Sequence, residues 1–491
     1  MFIDYSSAMA TTTIELEPVQ AHGSHDISAN PSKPSSPHLA PTEHRTQAIG
    51  DEEPQGLSRA TKLKLLAAGV SFFVSGTNDG SIGALVPYFI RDYELSTAVA
   101  SVVYGANFLG WLFAAFTNTY LTQRFGLGGL LVFGAALQVV AHALRSWKPP
   151  FPFFCITFAV VCLGQAYQDT GCNTYVACAK GAHRWLAFIH AMYMAGCFVA
   201  PFIATAVASA GTTSYWYLYY TFPLALGVGN LALACYAFRD TIHFRGRLRS
   251  GANNTPNAET QLSGSTSEPT KGAAQLVKET LSNKSVWAIS AFFFFYIGGV
   301  LTAVGWIVEF LVEVRDGNLA HMGYVPAGFS GGGLLGRILL AEPTFRLGER
   351  RMVFIYCVLA LAFQLVFWLC VLCQRGLQKL HGADVVRVPH IVAASVAVSL
   401  VGFFTGPLFA TGISIGSKLF PREIQSTALS FIFLFAQMGG AFFPIITGAL
   451  ALRYSVGVLQ PMLVALFACM TISWVLIPRV KQSNNTGLHH E

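Results

Sequence analysis

Three polar side chains spaced four residues apart interrupt an otherwise apolar stretch of this sequence. Gln165, Asp169 and Asn173 recur at the period of an α-helix, so on one helix they form a polar stripe about 12 Å long. Against lipid such a stripe is costly, because an ionisable group at the centre of a span costs at least about 2.5–3.5 kcal/mol. Facing a wet cavity, it offers hydrogen-bond donors and acceptors to a polar ligand. The spacing therefore predicts a ligand site inside a membrane.

Neighbouring apolar stretches carry further polar residues, several of them three apart and hence on one helix face. We predict that they complete the same substrate-binding and proton-coupling site: Asn78, Asp79, Tyr104, Asn107, His190 and Tyr193. Structural roles compete with this interpretation. Asp169 could join helices as a hydrogen-bond hub, Asp79 could cap a helix break, and His190 could be a packing residue. Glu309 is expected at a water interface.

No pattern in the sequence predicts catalysis or a metal site. Cys370 and Cys373 have the C-x-x-C spacing, but they lie in an apolar run without a partner pair. A nucleophile and base on facing helices are likewise not specified by spacing. We therefore expect neither an enzyme nor a cofactor. An acid within a span can take up and release a proton, so coupling of transport to protons through Asp169 follows as a hypothesis.

Composition identifies the elements that must position these residues. The 491 residues are 53% hydrophobic and 11% charged, whereas soluble domains carry about 25% charged residues. Spans need roughly 20 apolar residues each. The sequence predicts an all-α membrane protein with twelve transmembrane helices near residues 65–90, 98–118, 128–145, 152–178, 185–208, 216–238, 285–311, 321–341, 352–373, 390–415, 426–451 and 457–477.

A repeat indicates how these helices are arranged. Five residues recur 222 positions later: Gly76, Gly83, Gly110, Arg124 and Gly126 return as Gly298, Gly305, Gly332, Arg346 and Gly348. Glycines in spans set where backbones approach closely, and an Arg-x-Gly turn shapes a loop. We therefore predict two six-helix halves related by a pseudo-twofold axis. Arg124, Gly126, Arg346 and Gly348 are predicted gating residues of the loops.

Charge and composition divide the rest of the chain. We assign 23 of the 31 Lys and Arg residues to one side, which predicts that both termini are cytoplasmic. Residues 1–60 read as a disordered tail, 239–284 as a flexible linker and 479–491 as a C-terminal tail, flanking the halves 61–238 and 285–478. The formal charge of +7 fits an inner face that meets anionic lipid and requires no nucleic-acid partner.

Three stretches resemble the major facilitator superfamily, and within it the L-fucose permease-like branch found in fungi. The run GTNDGSIGALVPYF from Gly76 is similar to G-x-N-D-x-x-x-G-A-L-x-P-Y of the fungal members. QDTGCNTYV from Gln168 resembles the stretch around the permease's span-four carboxylate, and His190 precedes Gly196 and Pro201 with matching spacing. The resemblance implies two halves that rock about a central site, with proton symport as one option.

One familiar motif departs from the family pattern. The loop between spans two and three usually reads G-x-x-x-D-R-x-G, but Thr119 and Gln123 replace its Gly and Asp. The latch proposed for that loop therefore lacks its acid here.

The leading interpretation is a secondary carrier of a small organic solute, sugar-like or otherwise polar, which works as a monomer in the plasma membrane or the vacuolar membrane. An exporter of a fungal secondary metabolite is the alternative within transport, because the many aromatic residues could line an apolar pocket. A membrane receptor with the same fold, which binds its ligand without flux, is the alternative from another class.

Overall fold

The computed structural model describes residues 57–211, 213–242, 273–381, 387–421 and 424–478, and the regular elements in these ranges are all helices. The first six are α1 (Arg59–Asp92), α2 (Thr97–Ala100), α3 (Val102–Arg145), α4 (Phe151–Ala177), α5 (Ala182–Ala208) and α6 (Thr221–Ala237). The next five are α7 (Ala273–Ser282), α8 (Lys284–Glu313), α9 (Leu319–Met322), α10 (Val325–Leu339) and α11 (Ala341–Leu347). The last five are α12 (Glu349–His381), α13 (Arg387–Thr405), α14 (Leu408–Leu419), α15 (Gln425–Tyr454) and α16 (Leu459–Leu476). Short 3-10 turns occupy Trp216–Tyr220, Arg239–Thr241 and Val456–Val458.

Within these ranges, nine helical stretches are long and apolar enough to cross a membrane. The predicted spans 98–118 and 128–145 form one of the nine, because α2 and α3 run on from Thr97 to Arg145. The predicted spans 65–90 and 321–341 are not among them. The first coincides with α1, which carries the polar run around Asp79, and the second with α10, which has only 15 residues. The all-helical membrane fold is confirmed, and the count of twelve spans stays a prediction.

The duplicated glycines lie at helix crossings. A Cβ on Gly110 would come within 2.4 Å of the Ala159 carbonyl oxygen, and one on Gly332 would come within 2.0 Å of the Ser399 carbonyl oxygen. Likewise Gly76 faces the backbone of α5 at Tyr193, while Gly298 faces α15. Small residues permit such close backbone approaches between spans. The 222-residue offset therefore identified glycines that permit close backbone packing in both α1–α6 and α8–α16.

Two turns repeat in the same way. Gly126 has φ of 72° and interrupts α3, and Gly348 has φ of 98° between α11 and α12. Both backbone angles lie in the left-handed region, which glycine adopts without the steric penalty of a Cβ. Backbone geometry therefore explains the glycine of each predicted Arg-x-Gly motif.

The predicted linker 239–284 contains more regular structure than its composition indicated. Of this segment the structure describes 239–242 and 273–284, which form a 3-10 turn and α7 with the start of α8. Leu276 on α7 packs against the main apolar core and Thr280 is buried, so the end of the segment is an amphipathic helix rather than a tether. Residues 243–272, 1–56 and 479–491 lie outside the described ranges.

The two ends of the helix bundle can be identified from contacts. We call one the Arg59 end, where Lys64 near the start of α1 pairs with Asp240 after α6. We call the other the Asp92 end, where Tyr93 donates to the Pro149 carbonyl oxygen in the turn before α4. The positions of Lys and Arg predict that the Arg59 end faces the cytoplasm.

Candidate functional site

Asp79 is the centre of a hydrogen-bond cluster within the bundle. Tyr193 Oη on α5 donates to Asp79 Oδ2 at 2.9 Å. Asn78 Nδ2 donates to Asp79 Oδ1 at 2.9 Å, and Gln165 Nε2 on α4 reaches the same oxygen at 3.3 Å. Three donors from α1, α4 and α5 therefore converge on one carboxyl group. The structure brings together four residues that the sequence placed in one site.

The polar stripe of α4 divides between this cluster and open positions. Gln165 also donates to the Ser75 carbonyl oxygen at 3.1 Å, but its own Oε1 has no hydrogen-bond partner in the described structure. Asp169 Oδ1 is likewise buried without a partner, and Asn173 Nδ2 donates to the Asp169 backbone oxygen at 2.9 Å. Buried acceptors are ordinarily paired. The unpaired oxygens of Gln165 and Asp169 are therefore available to a ligand or to water.

Gln168, which borders the stripe, has a structural role instead. Its Oε1 accepts from Gln138 Nε2 at 2.8 Å and from Asn230 Nδ2 at 3.1 Å, and its Nε2 donates to the Leu131 carbonyl oxygen. Ser71 Oγ in turn donates to Asn230 Oδ1 at 2.9 Å. This network ties α1, α3, α4 and α6 together, so it gives the helix that carries the stripe a fixed orientation.

Tyr104 and Asn107, the predicted site residues on α3, have different surroundings. Tyr104 lies against α8, because its Oη would be 2.1 Å from a Cβ on Gly305 and its ring centroid is 6.5 Å from that of Trp306. Asn107, one turn further along, has a buried Oδ1 without a partner in the described structure. Neither residue joins the Asp79 cluster. Asn107 and Tyr104 both resemble Gln165 and Asp169 in having a buried oxygen without a partner in the described structure, and Tyr104 also belongs to a helix contact.

His190 is separated from the cluster by its packing. Its ring lies between Phe72 and Phe409, with centroid distances of 5.3 and 5.9 Å. The polar contact of His190 is through its backbone, since Arg337 NH1 on α10 donates to its carbonyl oxygen at 3.2 Å. Of the predicted pair on α5, Tyr193 joins Asp79 and His190 joins an aromatic surface. Phe409 continues that surface to Phe293, with centroids 5.6 Å apart.

Arg145 is a site residue that the sequence analysis missed. Its side chain is fully buried, and its NH1 donates to Asn78 Oδ1 at 2.8 Å. It is the last residue of α3, and its position in the sequence is that of a charge flanking a span. The sequence signal that could have identified Arg145 was a cation on the side of the membrane where the positive-inside rule predicts few cations. The rule describes where charges accumulate, and it gives no direction for an individual side chain.

Three of the predicted loop residues, Arg124, Arg346 and Gly348, are exposed, and Gly126 is half-buried. Arg346 pairs with Glu342, one turn earlier on α11, whereas the Arg124 guanidinium lies over the Phe125 ring with 5.8 Å to its centroid. The difference follows from the sequence: Gln123 and Thr119 stand before Arg124, so that loop lacks the acid. Gly126 and Gly348 supply the turns described above.

Contacts between α1–α6 and α8–α16 concentrate toward the Asp92 end. A Cβ on Gly83 would come within 1.9 Å of the Val304 carbonyl oxygen, and Thr97 Oγ1 donates to the Gly448 carbonyl oxygen at 2.8 Å. Gly323 meets the Thr205 side chain in the same region. These contacts join the two sets of helices on the Asp92 side of the Asp79 cluster, while Arg337 and Phe409 contact His190 on the Arg59 side of it.

Glu309 corrects an expectation from the sequence. It is not solvated at an interface but is 1% exposed, and its Oε2 accepts from Arg91 NH1 at 3.1 Å. Arg91 lies in the last turn of α1, so the ion pair joins α1 to α8 at the Asp92 end. Among the described residues no group of His, Cys, Asp and Glu could hold a metal ion.

Comparisons with known proteins agree with this architecture. The model of the Major Facilitator Superfamily matches residues 68–381. The chain is 24% identical over 425 residues to Bypass of stop codon protein 6 of Saccharomyces cerevisiae (strain ATCC 204508 / S288c), covering 85% of this chain and 83% of the relative. The resemblance stated from the sequence is therefore confirmed.

Solved transporter structures share the fold at low identity. A bacterial homologue of the human lysosomal transporter Spinster, inward-facing and unoccupied, has a TM-score of 0.57 at 12% identity over 86% of this chain and 95% of its own. A variant of the nucleoside transporter NupG has a TM-score of 0.61 at 13% identity, covering 85% of this chain and 100% of its own. FucP in the outward conformation has a TM-score of 0.58 at 14% identity, with coverage of 86% and 100%.

Proposed function

Because the chain belongs to the Major Facilitator Superfamily, we propose that it is a secondary transporter which moves a small polar organic solute by alternating access. The observation that carries the proposal is the Asp79 cluster, in which α1, α4 and α5 direct hydrogen-bond donors to one carboxyl group behind a closed end of the bundle. Polar groups buried in a membrane are costly, and they are typical of substrate and ion pathways. In this proposal twelve spans form two six-helix halves that alternately open toward each side.

The chemistry of the cluster supports a cargo with hydroxyl or amide groups. Gln165, Asp169 and Asn107 each present a buried oxygen without a partner among the described residues, and such oxygens accept from hydroxyl or N–H donors. The aromatic surface of Phe293 and Phe409 offers apolar faces on the other side of His190. A sugar-like solute has both hydroxyl edges and apolar C–H faces. One structural neighbour is described as a nucleoside transporter, which is consistent with polar cargo.

Two acids suit a role in proton coupling. Asp79 accepts from several donors, whereas Asp169 Oδ1 has no partner in the part of the chain that the structure describes, so the two carboxyl groups have different environments within one site. Moving one proton down 100 mV releases about 2.3 kcal/mol, and 1.4 kcal/mol corresponds to a tenfold ratio, so one proton per cycle supports roughly 40-fold accumulation. We propose symport through Asp169, with the Asp79 cluster as its charged neighbour on α1.

The test is uptake by purified protein in sealed proteoliposomes. Radiolabelled L-fucose, D-glucose and uridine are offered with and without an imposed inward pH gradient. We expect one of these solutes to accumulate and the gradient to raise its accumulation at least tenfold. Asp169→Asn is expected to remove the response to the gradient while retaining equilibrative exchange. Uptake by Asp169→Asn with an unchanged response would remove the coupling proposal.

Export of a fungal secondary metabolite is the second candidate, and the aromatic surface around Phe409 favours it. Counterflow separates the two directions, because an exporter releases a preloaded apolar metabolite faster than it takes up a polar solute. Ligand binding to the purified protein with no flux in either direction would instead favour a receptor. We place the transporter in the plasma membrane with both termini cytoplasmic, and we expect it to function as a monomer.

A further inference from the structure

Arg145 is buried although its position would let it reach water. An arginine at the end of a span normally extends its side chain to the interface, where the guanidinium stays hydrated. Arg145 ends α3 at the Asp92 end, yet its side chain is 0% exposed. It lies flat against Phe158, with the guanidinium carbon 3.7 Å from the ring centroid. Burying a cation costs several kcal/mol unless charges or hydrogen bonds compensate it.

The compensation involves no direct ion pair among the described residues. Arg145 Nε donates to Thr157 Oγ1 at 2.8 Å and NH1 donates to Asn78 Oδ1 at 2.8 Å, while NH2 has no partner in the described structure. Two neutral acceptors do not balance a full positive charge. Asn78 links Arg145 to a carboxyl group, because the Asn78 amide nitrogen donates to Asp79.

Asn78 is oriented by this arrangement. A guanidinium only donates hydrogen bonds, so the Asn78 atom facing Arg145 must be the carbonyl oxygen. The amide nitrogen of Asn78 is then turned toward Asp79 Oδ1, to which it donates at 2.9 Å. Arg145 thus fixes which end of the amide faces the acid. The three residues form a chain in which every hydrogen bond points from the cation toward the carboxyl group.

We propose that Arg145 is a positioning residue for Asp79, which acts through Asn78 to orient the acid and to balance its negative charge. This inference rests on the proposed function only for its purpose, namely control of the charge of Asp79 beside the proton-coupling Asp169. The Asp79 carboxyl group also faces ionisable groups from each helix that contributes to its surroundings. These are Arg145 on α3, Cys162 and Asp169 on α4, and Tyr193 and Cys197 on α5. Arg145 itself faces His142, Cys155, Cys162 and Tyr220.

Among the ionisable groups around Asp79 named above, Arg145 carries the positive charge, and a substitution can remove it. A nearby positive charge favours the ionised form of an acid, so loss of Arg145 should let Asp79 retain its proton to higher pH. Loss of the Asn78 amide should act in the same direction, because it removes one donor and the fixed orientation. If the two act as one chain, their effects should be less than additive in the double variant.

The experiment measures protonation of Asp79 directly and needs no cargo. Protein in lipid nanodiscs is titrated between pH 4 and pH 9, and the carboxyl C=O stretching band is followed by infrared difference spectroscopy. The band of Asp79 is assigned by its loss in Asp79→Asn. We expect Arg145→Gln and Asn78→Ala each to move its midpoint upward by about one pH unit. Arg145→Lys, which keeps the charge, should move it less, and Arg453→Gln at an exposed helix end should not move it.

The outcomes separate this inference from the proposed function. An unchanged midpoint in both Arg145→Gln and Asn78→Ala would overturn the inference, as would an Asp79 band that does not titrate in any variant. If Arg145→Gln does not fold, the two single variants Asn78→Ala and Arg145→Lys decide the question. Each of them keeps a cation against the Phe158 and Tyr220 rings. Absence of solute flux in proteoliposomes would contradict the proposed transport alone and would leave the measured shift as evidence for the inference.

Discussion

Arg91 and Glu309 form an ion pair in which the cation is half-exposed and the acid is almost completely buried. Arg91 NH1 lies 3.1 Å from Glu309 Oε2, and the exposed fractions of the two side chains are 43% and 1%. The same NH1 donates to the Pro87 carbonyl oxygen at 2.6 Å. The pair therefore joins the end of α1 to α8 where the two helices close the bundle. Its asymmetry leads to unequal consequences for the two partners.

We expect Arg91→Gln to open the Asp92 end more than Glu309→Gln does. Removing Arg91 leaves a buried carboxylate without its partner, which costs about 3 kcal/mol or more, whereas removing Glu309 leaves an arginine that can be hydrated. Distances between spin labels at Thr213 and Arg453 should lengthen in Arg91→Gln and change less in Glu309→Gln. Equal distance distributions in wild type and Arg91→Gln would contradict a role of the pair in closure.

Gly83 should tolerate no side chain. A Cβ there would come within 1.9 Å of the Val304 carbonyl oxygen, so Gly83→Ala forces α1 away from α8. We expect at least a tenfold loss of transport with normal insertion into the membrane. Gly229→Ala is the matched control, because nothing lies within 4 Å of a Cβ at that helical glycine. A Gly83→Ala protein that transports as well as Gly229→Ala would show that this approach is dispensable.

Asp240 should contribute a small pH-dependent stability. Lys64 Nζ donates to Asp240 Oδ2 at 2.6 Å and holds the pKa of that carboxyl below its usual range. Its stabilising effect is present above the unfolded pKa of about 3.9 and is lost as pH falls through the lower folded pKa. Because Asp240 is 61% exposed, screening limits the effect to below about 1 kcal/mol.

The corresponding measurement compares wild type with Asp240→Asn by thermal unfolding in detergent. Asp240→Asn should lower Tm by about 1–2 °C at pH 6 and by nothing measurable at pH 3. High salt should reduce the difference at pH 6. A difference that grows toward pH 3 would have the wrong sign and would contradict the ion pair as its origin.

His190 should behave as a packing residue. Its ring contacts Phe72 and Phe409, and its backbone oxygen, not its ring, accepts the hydrogen bond that Arg337 donates. We expect His190→Phe to keep at least about half of the wild-type transport rate, whereas His190→Gln, which loses the aromatic contacts, should keep less. The opposite order, with Gln tolerated and Phe inactive, would place the imidazole among the groups that bind cargo or protons.

The sequence predicted features that depend on helical period or on backbone geometry. The 222-residue offset found the close approaches at Gly110 and Gly332 and the positive φ angles at Gly126 and Gly348. Spacing of four placed Gln165 with Asp169, and the structure brings Gln165 to Asp79. Both signals work because side chains three or four residues apart share a helix face whatever the tertiary structure.

Features that depend on which helices meet could not be predicted in this way. Period alone cannot show that Tyr104 packs on α8 while Tyr193 reaches Asp79, since both are single tyrosines on apolar helices. Glu309 looked solvated because its partner Arg91 lies 218 positions earlier in the chain. Arg145 was missed for a related reason, because a residue at a helix end can direct its side chain either to water or into the protein.

The meeting of Gly83 with the Val304 backbone has an electrical consequence. Where two helices touch without intervening side chains, no column of water can conduct between them. If water reaches the Asp79 cluster from the Arg59 end, as alternating access requires, the voltage across the membrane falls mainly over this thin dry layer, and the field there is stronger than in a uniform slab. In that state Asp79 experiences the potential of the compartment at the Arg59 end. Sealing the Arg59 end and opening the Asp92 end would then carry its charge through most of the voltage without moving the side chain far.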